Sequence, residues 1–107
     1  MIKVIICVKG VDYMKLVAIV GTNSARSTNR KLLKFMAKHF ADVADIELLE
    51  IKDLPAFNEP EDKIAPAVVA AFSEKIASAD GVIIATPEYN HTIPAPLSSA
   101  LEWIAYT

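Results

Sequence analysis

Val82-Ile83-Ile84-Ala85 is an unbroken apolar run, with Gly81 before it and the polar Thr86 and Pro87 after it. A strand that faces water on one side alternates apolar and polar residues, whereas a strand without alternation has to be covered on both faces. The run therefore demands a sheet with a layer on each side, and the rest of the chain must supply those layers. Two more runs rich in β-branched residues, Val4–Val8 and Leu16–Val20, precede Gly10 and Gly21 and read as strands. Between Thr28 and about Ala41 the period changes. Leu32, Leu33, Met36 and Phe40 recur at helical spacing, and Ser27, Thr28 and Asn29 are good N-cap types. Asp45–Ile51 alternates as a short strand. Lys52–Asp62, with Pro55 and Pro60, reads as a loop. Ile64–Ala79 is a second helix with Pro66 near its first turn, and Leu97–Tyr106 begins a third.

Counted from Met14, the order is β-α-β-α-β-loop-α. Such alternation implies a parallel sheet with helices on both faces, an α/β fold. Three strands leave the last one as an apolar sheet edge, an aggregation hazard that needs a partner. Residues 1–13 are either an N-terminal extension or an extra strand, and that strand or another chain would cover the edge. The pattern predicts an incomplete version of a larger domain.

Bulk properties exclude several roles. Among 107 residues there are 11 basic and 13 acidic side chains, a net charge of −2. That balance offers no basic stripe for nucleic acid. No apolar run approaches the roughly 18 residues of a membrane span, and no signal peptide is visible. The single cysteine, Cys7, allows no internal disulfide and reads as a small buried hydrophobe. The scattered acids lack metal-ligand spacing. A cytoplasmic, soluble protein is expected.

In an open α/β sheet, ligands sit beyond the carboxyl ends of the strands where the strand order reverses. For the order 2-1-3 the reversal lies between the first and third strands, and both unusual loops follow those two. The first, Gly21–Asn29, carries Thr22, Ser24, Arg26, Ser27 and Asn29 and leads into a helix start. Its hydroxyls, free N–H groups and Arg26 suit a phosphate, although a polar turn with an ordinary N-cap would look the same. It has neither a Walker A nor a GxGxxG pattern. The second, Pro87–Pro96, is stiffened by Pro87, Pro94 and Pro96. It could present N–H groups and Tyr89 to a planar ligand, or be a rigid connector whose Tyr89 caps the core. Two such loops at one switch point favour a ligand site.

The pattern G-[ST]-x₄-S-x-N, then P-E-Y-N, then I-P-x-x-L…A-L-[DE]-W resembles the NADPH-dependent FMN reductase family, from Met14 to the end of the chain. The resemblance implies a flavodoxin-like doubly wound parallel sheet, here truncated after the third strand and its helix. Residues 1–13 would be the extension and 14–107 a partial FMN-binding domain. It implies that Thr22, Ser27 and Asn29 hold the FMN phosphate, with Ser24 and Arg26 as helpers. Pro87, Glu88, Tyr89 and Asn90 would line the isoalloxazine. His91 would either border that pocket or be a solvated loop histidine. Glu102 and Trp103 match the family's acidic-Trp pair and are expected to serve packing and interface. The implied reaction passes a hydride from NAD(P)H through FMN to a small electron acceptor, in a homo-oligomer (dimer or tetramer). No residue is expected to act as a catalytic acid or base. Family members carry two more strands and a last helix, so the alternative is a non-catalytic truncated or split flavoprotein that acts through self-association. Members also often carry Lys-Asn at Ser98-Ser99 and Arg at Ser24.

Overall fold

The computed structural model describes residues 13–107 and the backbone of residues 2–8. Its elements are β1 (Ile2–Val8), β2 (Met14–Val20), α1 (Thr28–His39), β3 (Ala44–Leu49), α2 (Ala67–Ala77), β4 (Gly81–Pro87) and α3 (Ala95–Tyr106). The sheet order is β1-β4-β2-β3. β2 pairs in parallel with both β3 and β4, which is the 2-1-3 order expected from Met14 onward. The side chain of Cys7 lies outside the described residues.

The sheet is covered on both faces, as the continuous apolar runs require. On one face Leu16, Ala18, Val20, Ile83 and Ala85 pack with Leu33 of α1. On the other, Val17, Ile19 and Leu49 pack with Phe72 of α2 and with Leu97 and Ala100 of α3. Successive β2 residues thus belong to opposite cores and all are buried from Leu16 to Val20.

Some expected boundaries move. α1 ends at His39, and Phe40 is its C-cap, with its N–H bonded to Met36 O. Phe40 is 41% exposed, so the buried stripe of α1 is shorter than the helical period suggested. Pro66 stands before the first turn of α2 as its N-cap. α3 starts at Ala95, two residues earlier than expected, because Pro96 suits the first turn of a helix.

β1 pairs antiparallel with the outer edge of β4, from Ile2 opposite Pro87 to Val8 opposite Gly81. This supplies the missing edge partner from within the chain. The position has a topological meaning. α2 and α3 share one face of the sheet, so a right-handed crossover from β4 through α3 would place a further parallel strand in the slot that β1 fills. Deleting residues 1–13 is expected to leave that edge open and to give a larger, concentration-dependent species in gel filtration with light scattering. A truncated chain that stays monomeric with the parent's unfolding midpoint would show that β1 does not protect the edge.

Candidate functional site

The two loops meet because β2 and β4 approach very closely at their carboxyl ends. Gly21 N–H donates to Ala85 O at 2.8 Å. A Cβ placed on Gly21 would lie 2.6 Å from Ala85 O and 2.9 Å from Thr86 Cβ. Only glycine fits there, and the first loop leaves β2 pressed against the end of β4.

The loop then builds itself from hydroxyls. Thr22 Oγ1 accepts from Ser24 N–H at 3.2 Å, and Ser24 Oγ accepts from Arg26 N–H at 3.3 Å. Ser27 is the N-cap of α1, its Oγ accepting from Arg30 N–H at 3.3 Å. A hydroxyl that accepts from the backbone still has its own proton to donate, so all three remain donors to an anion. The first turn of α1 has no acidic residue to compete for its free N–H groups.

Thr22, Ser24, Arg26, Ser27, Thr28 and Asn29 line a cavity of about 140 Å³, closed from the β4 side by Pro87 and Tyr89. Thr22, Ser27 and Asn29 are buried. Asn29 Oδ1 is buried with no hydrogen-bond partner among the described residues. Such an orphan is costly, and a ligand hydroxyl would satisfy it; the amide turned by half a rotation would instead offer N–H to an anion. Hydroxyl donors, a helix start, an exposed guanidinium and an orphaned amide together fit an anionic group such as a phosphate.

The second loop is a hairpin. Tyr89 and Thr92 exchange N–H···O bonds of 3.0 Å in both directions. Asn90 and His91 between them have φ of 52° and 62°, the positive values that a type I′ turn needs. Tyr89 N–H is therefore committed to Thr92 O and is not offered to a ligand. The Tyr89 side chain is 54% exposed, so it does not cap the core. It lines both the small cavity and a larger one of about 710 Å³ formed with Phe57, Asn90, Ile93, Ser99 and Glu102. The structure thus brings Thr22, Ser24, Arg26, Ser27, Asn29, Pro87 and Tyr89 around one cavity. Asn90 lies on the larger one. Glu88 follows the end of β4, half-buried, and His91 is exposed at the turn and lines neither cavity.

Two features had no clear signal in the sequence. The first is the wall of the larger cavity. Trp103, buried, donates from Nε1 to Pro55 O at 2.7 Å and meets Phe57 edge to face at 4.7 Å, while Phe57 N–H donates to Ser99 Oγ. These contacts pin loop 52–62 to α3. The second is Arg30, whose Nε and Nη2 grip both oxygens of Glu50 at 2.8 and 2.7 Å. The hydrogen bonds to Arg30 hold the Glu50 carboxyl below its ordinary range, and Glu50 raises Arg30 in turn.

With this geometry in place, residues 14–107 match the family described as NADPH-dependent FMN reductase. The chain belongs to that family. Within it, the chain is 63% identical over 94 residues to the NADH:(hydroxy)cinnamate reductase subunit CrdA of Vibrio ruber, covering 88% of this chain and 46% of that protein. It is 55% identical over 93 residues to the NADH-dependent flavin reductase subunit 2 of Lactobacillus johnsonii, covering 84% of this chain and 48% of that one. The NAD(P)H:(acceptor) oxidoreductase FerB of Paracoccus denitrificans superposes with a TM-score of 0.76 at 32% identity, over 84% of this chain and 50% of its own. The chain thus spans about half the length of these family members.

Gly21→Ala is expected to force β2 and β4 apart at the site and to cost about 1–3 kcal/mol, read from denaturant unfolding. The pH dependence is also set. Glu50 has a lowered folded-state value, so its pair with Arg30 stabilises the fold above the ordinary carboxylate range and is lost as pH falls through the lowered value. Stability curves of the parent chain and Glu50→Gln should converge at acid pH.

Proposed function

We propose that residues 14–107 are a partial FMN-binding domain of an NAD(P)H-dependent oxidoreductase that passes electrons to a small acceptor. The observation that carries this reading is the cavity between the two loops at the ends of β2 and β4, lined by hydroxyls, Arg26 and the orphaned amide of Asn29. Family membership and the reductase relatives support it.

In this reading Thr22, Ser27 and Asn29 bind the FMN phosphate end, with Ser24 and Arg26 adding a donor and a positive charge. Pro87, Glu88, Tyr89 and Asn90 border the ring, and His91, exposed at the turn and lining neither cavity, is a solvated loop histidine. FMN, when bound, supplies the hydride-accepting and electron-donating chemistry. The chain's residues bind and orient it. The hydroxyls and helix start fix one end, the proline-stiffened β4 loop sets the ring edge, and Phe57 and Ser99, behind which Trp103 holds Pro55, wall the larger cavity on the α3 side. No side chain is assigned a proton transfer. The protein is read as cytoplasmic and homo-oligomeric; no helix among the described residues is long and apolar enough to cross a membrane.

The second, alternative reading is a non-catalytic truncated or split flavoprotein that acts through self-association; two of the relatives are themselves named as subunits.

Titration of the chain with FMN, followed by flavin fluorescence and gel filtration, separates the two. Saturable quenching with NAD(P)H oxidation supports the oxidoreductase. A folded chain that binds no FMN supports the second reading. Asn29→Ala and Thr22→Ala are each expected to weaken FMN binding about 10-fold, through loss of one hydrogen bond to a charged group. Unchanged affinity in both variants would remove these residues from the site.

A further inference from the structure

The guanidinium of Arg30 does not line the small cavity, yet it reaches the loop that does. Its Nη1 donates to Ser24 O at 2.7 Å. Its other two nitrogens, Nε and Nη2, form a two-pronged grip on Glu50, the residue just after β3. Arg30 itself sits in the first turn of α1, and its own N–H is held by the N-cap Ser27. One side chain, only 14% exposed, therefore joins three elements: the helix start, the end of β3 and the middle of the first loop.

We infer that Arg30, anchored by Glu50, is the positioning residue that holds the first loop in the shape that binds the phosphate end of the ligand. This rests on reading the small cavity as the FMN phosphate site. The argument is geometric. Between Thr22 and Arg26 the other ties are short-range turns, Thr22 to Ser24 and Ser24 to Arg26, which bend the loop; its bond to the sheet, Gly21 N–H to Ala85 O, lies at its start and leaves the middle unfastened. The bond from Arg30 to Ser24 O fastens its middle to the rigid end of β3 through Glu50. Charge assigns the roles. Arg30 is paired with Glu50 and does not line the cavity, whereas Arg26 lines it, is exposed and makes no ion pair among the described residues. Arg26 supplies charge to an anion; Arg30 supplies shape. A lysine cannot replace Arg30, because a single ammonium cannot grip both carboxylate oxygens and also reach a carbonyl in the fixed fork geometry.

The test compares FMN with riboflavin, which lacks the phosphate, on Arg30→Lys and Glu50→Gln. Each variant is expected to weaken FMN binding on the order of 10-fold while riboflavin binding stays within about 2-fold. A merely structural role would weaken both ligands alike, and an unchanged ratio of the two affinities overturns the inference. Amide hydrogen exchange on ligand-free protein provides an independent reading. Exchange across residues 22–27 should accelerate in both variants while that of β2 and β4 does not. If the parent chain binds neither flavin, the site reading fails by itself, and the exchange result still decides whether Arg30 orders the loop. Unchanged exchange there overturns the inference.

Discussion

The close passage of Gly21 against Ala85 and Thr86 is the contact on which the site depends. Parallel strands with helices on both faces bring two carboxyl ends side by side, but side chains at those ends would normally hold the exits apart. The missing Cβ at Gly21 lets the first loop turn directly over the end of β4. Thr22 then becomes buried, the helix start of α1 points into the gap, and Pro87 and Tyr89 close it. Each later feature of the cavity inherits this approach.

Around it, two tethers bring distant sequence to the same end of the sheet. The Arg30–Glu50 grip ties the first loop to β3. Trp103 and Ser99 tie loop 52–62 to α3 and raise one wall of the larger cavity. Both use polar groups with fixed directions, which suits surfaces that must hold a shape without being buried in the core. β1 does a different job. It satisfies the edge of β4 by antiparallel pairing, in the slot where right-handed topology would put the strand after α3. A chain that spans half of its relatives thereby keeps its most apolar strand internal.

Much of this was legible in the residues. The layers followed from runs such as Val82–Ala85 that could not face water, and the strand order followed from the alternation of strand and helix periods. The convergence of Thr22, Ser27 and Asn29 with Pro87 and Tyr89 followed from the switch point. The Tyr89–Thr92 hairpin was less legible, because Asn90-His91 lacks the glycine that usually marks a type I′ turn. Phe40 also misled, since a helical period continues past the point where a helix frays and ends.

The sequence by itself determined the doubly covered sheet, the order of its strands from Met14 onward and the position of the two polar loops, because each depends on local period and on the short-range rule of right-handed crossovers. Tertiary structure alone decided the partner of β4's outer edge, the need for glycine at position 21 and the grip of Arg30 on Glu50. The physical reason is that these are contacts between groups far apart in the chain, and their geometry is set by how the layers pack; nothing in the spacing of the residues records it.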